Sequence, residues 1–296
     1  MTGVRVPVLT DVSGPNAVEI VAPAASVAQL APARPLMPTA SLAPAGPVTS
    51  PGHAARDAQV VRAAGPQLHL LGGFGLQVDD NAVPLTPSQQ RLVALLGLRG
   101  GALPRGYVAG LLWGDSSESR AHDSLRSTLW KLHALSPGVV LISGDSLTLA
   151  PNVPVDVRYA TELARALITD RFDDNTVSAL LEPRFCYELL PGWYEDWVIV
   201  ERERHRQLSL HALELVCEHL TSLRRYGAAI LAGLAAVDRD PLRESAHRAL
   251  MKIHIAEGNG AEAIRRYRQY EKIAARELGV PPSPMMRALL HEVTAH

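Results

Sequence analysis

The sequence has few cysteines, no long apolar run and no excess of charge of either sign. Its two cysteines, Cys186 and Cys217, are too few for a disulfide framework or a four-thiolate zinc site. Apolar runs such as Leu92–Leu96 are far shorter than the about 18 residues that a membrane helix needs. The 29 Lys and Arg residues against 30 Asp and Glu residues give a net charge of −1. This balance excludes a strongly basic protein that coats nucleic acid, and it also excludes a highly acidic, solvated chain. Because Met1–Thr10 also lacks a basic-then-apolar signal, we expect a soluble, intracellular protein in a reducing cytoplasm.

Aromatic residues are absent from the first 66 positions, which hold ten of the 22 prolines and fifteen alanines. Phe74 is the first aromatic residue of the chain. A segment of this composition buries too little apolar surface to offset the entropy lost on ordering. Residues 1–66 are therefore predicted to form a disordered, partly extended tail.

Globular patterning begins at residue 67 and divides into two parts. Residues 67–154 mix strand-like and helical runs, whereas residues 155–296 are almost wholly helical, and Pro151 and Pro154 separate the two. In the first part the expected order is three short strands, three helices and a hairpin: Gln67–Leu71, Phe74–Val78, Ala82–Leu85, a helix opened by Thr86-Pro87-Ser88-Gln89, helices at Arg105–Leu112 and Glu118–Leu135, then Val139–Ile142 and Ser146–Leu149 around Ser143-Gly144-Asp145.

This order of elements is that of a winged helix-turn-helix, in which the third helix reads DNA and the hairpin is the wing. The inward stripe of the third helix is predicted to be Ala121, Leu125, Thr128 or Leu129, Leu132 and Leu135. Its outer face offers donors to phosphates and base edges, so the candidate DNA-binding residues are Arg120, Ser124, Arg126, Ser127 and Lys131. The alternative is an amphipathic surface helix with a solvated polar face.

Charge limits the strength of such an interface. Residues 67–154 contain six basic and six acidic side chains, and the wing carries Asp145 but no Lys or Arg. Because phosphate contacts supply much of the affinity for duplex DNA, we expect modest binding by an isolated subunit and cooperative binding of two subunits to adjacent repeats.

An internal repeat at an offset of 34 residues runs through residues 203–278. Ala229-Ile230 matches Ala263-Ile264, Ala212 matches Ala246, and Val216 stands opposite Leu250. This period predicts stacked helix pairs of the tetratricopeptide kind. A generic helical bundle is the alternative. The overall prediction is a mostly α protein, with an α+β winged-helix domain followed by an all-α helical-repeat domain that folds on its own.

Other patterns favour structural roles. His211, Cys217 and His219 do not share one helix face, so no metal site is predicted. The run Glu201–Arg206 is interpreted as a helix face of alternating charge, and Trp193 and Trp197 as packing residues. The sequence shows no nucleophile and base at a spacing that supports catalysis. We therefore expect no catalytic residue, no cofactor and no enzymatic activity.

Several longer motifs resemble the SARP/AfsR family of bacterial transcriptional regulators. The helical part resembles its bacterial transcriptional activator domain in Leu190-Pro191-Gly192-Trp193-Tyr194-Glu195-Asp196-Trp197, Glu201-Arg202-Glu203-Arg204, Asp240-Pro241-Leu242-Arg243-Glu244 with His247-Arg248, and Glu277-Leu278-Gly279-Val280-Pro281-Pro282-Ser283-Pro284. The first part resembles the winged helix of that family in Leu112-Trp113-Gly114-Asp115, Leu125-Arg126 and Lys131-Leu132. The resemblance covers about residues 67–296.

The resemblance implies a transcriptional activator. An OmpR-like winged helix over 67–154 would bind promoter direct repeats, and the activator domain over 155–296 would help form a homodimer on double-stranded DNA and contact RNA polymerase. A bacterial, nucleoid-associated protein of the cytoplasm is implied. Two alternatives remain: a protein-binding helical adaptor with a weak winged helix, and a sensor whose helical groove takes a small ligand.

Overall fold

The computed structural model describes residues 65–295. The tail prediction for residues 1–66 lies outside this range, apart from its last two residues. Pro66 is the first residue of strand β1, one residue before the globular part was expected to begin.

The first three strands form an antiparallel sheet in the order β1-β2-β3. Their bounds are β1 Pro66–His69, β2 Gly75–Val78 and β3 Asn81–Ala82. The prediction of three strands is confirmed, although each is shorter than expected. Leu68 pairs with Leu76 in the register and both are buried, so the sheet presents an apolar face to the core.

Helix α1, Pro87–Arg99, begins as its capping signal predicts. Gln89 Oε1 accepts hydrogen bonds from the backbone N–H and the hydroxyl of Thr86, each at 2.8 Å. Gly100 ends the helix at a φ of +62°, where glycine is the favoured residue.

The remaining elements of the first part complete a winged helix-turn-helix. They are β4 Leu103–Pro104, α2 Arg105–Leu112, α3 Glu118–Leu135, β5 Val140–Ser143 and β6 Ser146–Leu149. The sheet order is β4-β6-β5, and the short strand β4 was not predicted. Because Ser143 pairs with Ser146, the wing turn contains only Gly144 and Asp145, not the three residues expected.

The second part is helical. Its elements are α4 Asp156–Ile168, α5 Asp174–Leu180, a 3₁₀ helix at Pro183–Cys186, α6 Asp196–Ser222, α7 Tyr226–Arg239, α8 Glu244–Glu257, α9 Gly260–Glu277 and α10 Pro284–Thr294. The pair α6–α7 is followed by the pair α8–α9, as the 34-residue repeat predicts. The fold class inferred from sequence is therefore confirmed.

At Gly233 the two copies of the repeat differ, and the packing of the helices gives the reason. This position in α7 corresponds to Tyr267 in α9, and a Cβ there would lie 2.6 Å from Leu250 Cδ2 of α8. The first helix pair thus approaches the second more closely than a larger residue permits, and Tyr267 packs in a separate small core with Met251 and Met286.

The two parts share one continuous core. Buried residues from Leu68 in β1 to Ile253 in α8 belong to a single apolar cluster. The Asp156 carboxylate at the start of α4 accepts hydrogen bonds from the backbone N–H groups of Leu70, at 2.9 Å and 3.0 Å, and Leu71, at 3.0 Å. The residues that directly follow β1 are therefore bonded to the helical part, and Leu68 of β1 itself donates to the carbonyl of Pro154 at 3.0 Å. The boundary between residues 154 and 155 stays a prediction.

Candidate nucleic-acid interface

Helix α3 presents most of its candidate DNA-binding side chains to solvent. Arg120, Arg126, Ser127 and Lys131 are exposed and Ser124 is partly exposed. Ala121, Leu125, Thr128, Leu129 and Leu132 are buried against α1 and α2, as the inward stripe predicted. The amphipathic pattern thus placed the outer face of α3 on the correct side.

Leu135 is an error in the predicted inward stripe. It is 50% exposed, and Ser136, one residue after the helix, is buried instead. On a helix with about 100° per residue, position 136 continues the line of Leu125, Leu129 and Leu132 better than position 135 does.

Arg126 already has a partner in the free protein. Its guanidinium lies 3.0 Å from the carboxylate of Asp123, one turn earlier, and both side chains are largely exposed. An exposed pair of this kind is worth about 0–1 kcal/mol, so Arg126 can leave Asp123 for a phosphate at little cost.

Two of the six cations counted in residues 67–154 face the helical part. Arg91 Nε lies 2.9 Å from Glu195, and Arg99 lies 3.2 Å from Glu201, so two cations of α1 pair with carboxylates of the helical part. The cations on and beside the outer face of α3 are thus Arg105, Arg120, Arg126 and Lys131. Charge balance in the sequence therefore did not show which cations are free to meet DNA.

Glu195 lies in the loop before α6 and Glu201 lies in α6 itself, and Arg202 connects this loop to the helix. Its guanidinium donates to the backbone carbonyls of Leu189, at 2.9 Å, and Trp193, at 2.8 Å, and so ties α6 to the Leu190–Trp197 motif. His205 is buried in the same run. Within Glu201–Arg206, which was interpreted as a helix face of alternating charge, Arg202 and His205 thus support the fold.

The tryptophans of this motif pack as predicted. Trp197 is buried, and its ring meets that of Trp193 edge to face with centroids 6.4 Å apart. Trp193 in turn stacks on Phe74, which follows β1 in the chain, at 6.0 Å. The aromatic cluster thereby joins the first sheet to the activator motif.

The titratable side chains of the described residues show no metal-binding cluster and no activated thiol. In residues 65–295, no group of three or more His, Cys, Asp or Glu side chains is placed to hold a metal ion. Burial raises the pKa of Cys217 to about 12, and it also raises the pKa of Cys186, so both thiols stay protonated near neutral pH. Over the same residues, no helix has both the length and the apolar character needed to cross a bilayer.

Comparisons with known proteins agree with this architecture. Residues 185–294 match the model of the bacterial transcriptional activator domain, which begins after α5 and reaches the end of α10. The regulatory protein AfsR of Streptomyces coelicolor is 27% identical over 217 residues, a match that covers 70% of this chain and 22% of AfsR. The structure of Mycobacterium tuberculosis EmbR in complex with a low-affinity phosphopeptide superposes with a TM-score of 0.61 and 23% identity, covering 78% of this chain and 65% of that one.

The chain spans about a fifth of the length of AfsR, and the likeness to EmbR shows the fold. The activator-domain match covers all the motifs of the helical part on which the sequence resemblance rests. The chain carries a bacterial transcriptional activator domain at residues 185–294, and over 70% of its length it is similar to a regulator of the SARP/AfsR family.

Proposed function

We propose that the protein is a sequence-specific transcriptional activator. Its winged helix binds direct repeats in promoter DNA through Arg120, Ser124, Arg126, Ser127 and Lys131 of α3, two copies bind side by side, and the helical domain contacts RNA polymerase. Such a protein acts in the bacterial cytoplasm, on the nucleoid.

The observation that best supports this proposal is the outer face of α3. Arg120, Ser127 and Lys131 lie along one exposed side of an 18-residue helix whose opposite side is buried. A recognition helix requires this arrangement, because side chains along one strip reach successive base pairs and phosphates. The family supports the same use of the fold, since its members are transcriptional regulators.

Lys131→Ala tests the proposed interface. We expect binding to a promoter duplex with direct repeats to weaken by about 1–3 kcal/mol, while the melting temperature stays unchanged because an exposed position leaves no cavity. Binding is measured by mobility shift at several salt concentrations. A salt slope reduced by about one unit on every sequence indicates a phosphate contact, and relaxed specificity at one base pair indicates a base contact.

Asp123→Asn is the counterpart of Lys131→Ala and should change DNA affinity in the opposite direction. It removes the carboxylate that pairs with Arg126 and takes one negative charge from the same face. We expect DNA binding to become about twofold to fivefold tighter, the factor for about 0.5–1 kcal/mol from an exposed pair. If Lys131→Ala and Asp123→Asn both bind like the parent, α3 does not read DNA through this face.

A protein-binding adaptor is the second candidate, and the charge distribution favours it. Arg91 and Arg99 are paired with Glu195 and Glu201, and the wing has no basic residue. An adaptor would show no salt-dependent shift with promoter duplexes. Genome-wide occupancy of the protein, together with reconstituted transcription from an occupied promoter, distinguishes an activator from an adaptor.

A further inference from the structure

One large aromatic side chain stands on the outer surface of α3. Trp130 is 73% exposed, whereas Trp197 in the helical part is buried. At about 100° per residue, Trp130 lies between Ser127 and Arg126 around the helix, about 60° from the first and 40° from the second. It therefore shares the surface assigned to DNA reading.

Trp130 borders a groove between the recognition helix and the wing. Leu129 and Trp130 of α3 and Val140 and Ile142 of β5 line this groove, which has a volume of about 360 Å³. Ile142 is 55% exposed, so both sides of the groove offer apolar surface to an incoming molecule.

The other polar side chains of this groove are cationic or neutral. Arg105, Arg126 and His133 line it together with Ser136, and none of the described residues that line it is acidic. An apolar centre with cations around it fits duplex DNA, because the thymine C5-methyl is the apolar group of the major groove and phosphates flank it. The indole adds one N–H donor and no acceptor.

We propose that Trp130 is a specificity-determining residue that contacts the C5-methyl group of thymine in the major groove, with Ile142 covering the other side of this contact. The proposal rests on the proposed function, since it requires α3 in that groove. It also explains how a winged helix with balanced charge gains affinity: removal of apolar surface from water does not depend on counterion release.

Replacement of thymine by deoxyuridine tests the contact, because it removes only the methyl group. Duplexes that bind the full-length protein are selected from a random-sequence library, and each thymine is then replaced singly. At one or two positions we expect the parent to bind about fourfold more weakly, the factor for about 0.8 kcal/mol per buried methyl-sized group. Trp130→Ala should bind the thymine duplex more weakly and bind the deoxyuridine duplex equally, whereas Trp130→Phe should keep part of the discrimination.

Leu231→Ala serves as the matched control. Leu231 is 65% exposed on α7, far from the wing in sequence, so its truncation should leave the thymine profile unchanged. Melting temperatures of both alanine variants should match the parent, because neither truncation opens a cavity.

Three other outcomes would overturn the proposal. If Trp130→Ala still loses affinity at the same thymines as the parent, the proposal is overturned while DNA binding stands. A flat profile in the parent, with self-association in sedimentation that Trp130→Ala abolishes, overturns it in favour of an interface with a second copy. If the parent selects no duplex at all, the proposed function fails and this inference fails with it.

Discussion

His205 lies in α6 with its imidazole buried edge-on against Phe185, the ring centroids 6.4 Å apart. Burial, with the nearby Arg239 guanidinium, lowers the pKa of His205 to about 4, and the Asp156 carboxylate opposes this shift. The folded protein therefore keeps this ring neutral across a range in which an unfolded chain protonates it.

The free energy of unfolding should accordingly depend on pH. Between pH of about 6.5 and about 4 the unfolded chain binds a proton at His205 that the folded chain does not bind, so stability falls as the pH falls through this window, by about 3 kcal/mol. Urea unfolding of the parent and of His205→Leu measures the difference. The variant should lose this part of the acid sensitivity, while His247, whose pKa burial also lowers, contributes equally to both proteins. Parallel pH profiles for the two proteins would contradict the assignment.

At the scale of elements, the two helix pairs differ at the turn between their helices. Gly258, which ends α8, has a φ of +85°, and Arg224, 34 residues earlier, has a φ of +56°. The two left-handed residues therefore coincide at the offset of the repeat. The first copy thus places an arginine where the backbone favours glycine.

Arg224→Gly should therefore stabilise the protein by about 0.5–1 kcal/mol, because a non-glycine residue in the left-handed region is strained. The Arg224 side chain is exposed and forms no ion pair or side-chain hydrogen bond with the described residues, so little is lost. Thermal unfolding gives the change. The reciprocal variant Gly258→Arg should destabilise by about 1 kcal/mol, and equal melting temperatures for all three proteins would argue against strain at this turn.

For the whole molecule, the junction between β1 and α4 determines whether the two parts are independent. Leu68, Leu70 and Leu71 are buried in the shared core, and the amides of the last two donate to Asp156. We therefore expect the fragment 155–296 to be helical, as the repeat predicts, but less stable than the full chain.

Asp156→Asn measures how much the hydrogen bonds between Asp156 and the amides of Leu70 and Leu71 contribute to the free energy of unfolding. In the full chain it should lower the free energy of unfolding by about 1.5–3 kcal/mol, since it weakens charge-assisted hydrogen bonds to two buried amides. In the fragment 155–296 those amides are missing, so the same substitution should change stability little. Equal losses in both proteins would show that Asp156 acts within α4, through the amide of Val157, and not across the junction.

Short-range patterns in the sequence determined most of the secondary structure. The capping residues Thr86 and Gln89, the apolar spacing of α3 and the 34-residue repeat depend on residues within a few turns of one another or on a regular period. Those features predicted the winged-helix order, the helix pairs and the exposed side of α3. The direct role of that side in binding DNA stays a prediction.

Only the tertiary structure decided the features that depend on distant residues. Leu70 and Asp156 are 86 positions apart, and no local pattern indicates that they bond. The same holds for the pairing of Arg91 and Arg99 with carboxylates of the helical part and for the strand β4 that pairs with β6. It also holds for the hydrogen bonds that Arg202 donates to the Leu190–Trp197 motif and for the burial of His205. Charge and periodicity describe one segment at a time, whereas burial and pairing depend on which segments the fold brings into contact.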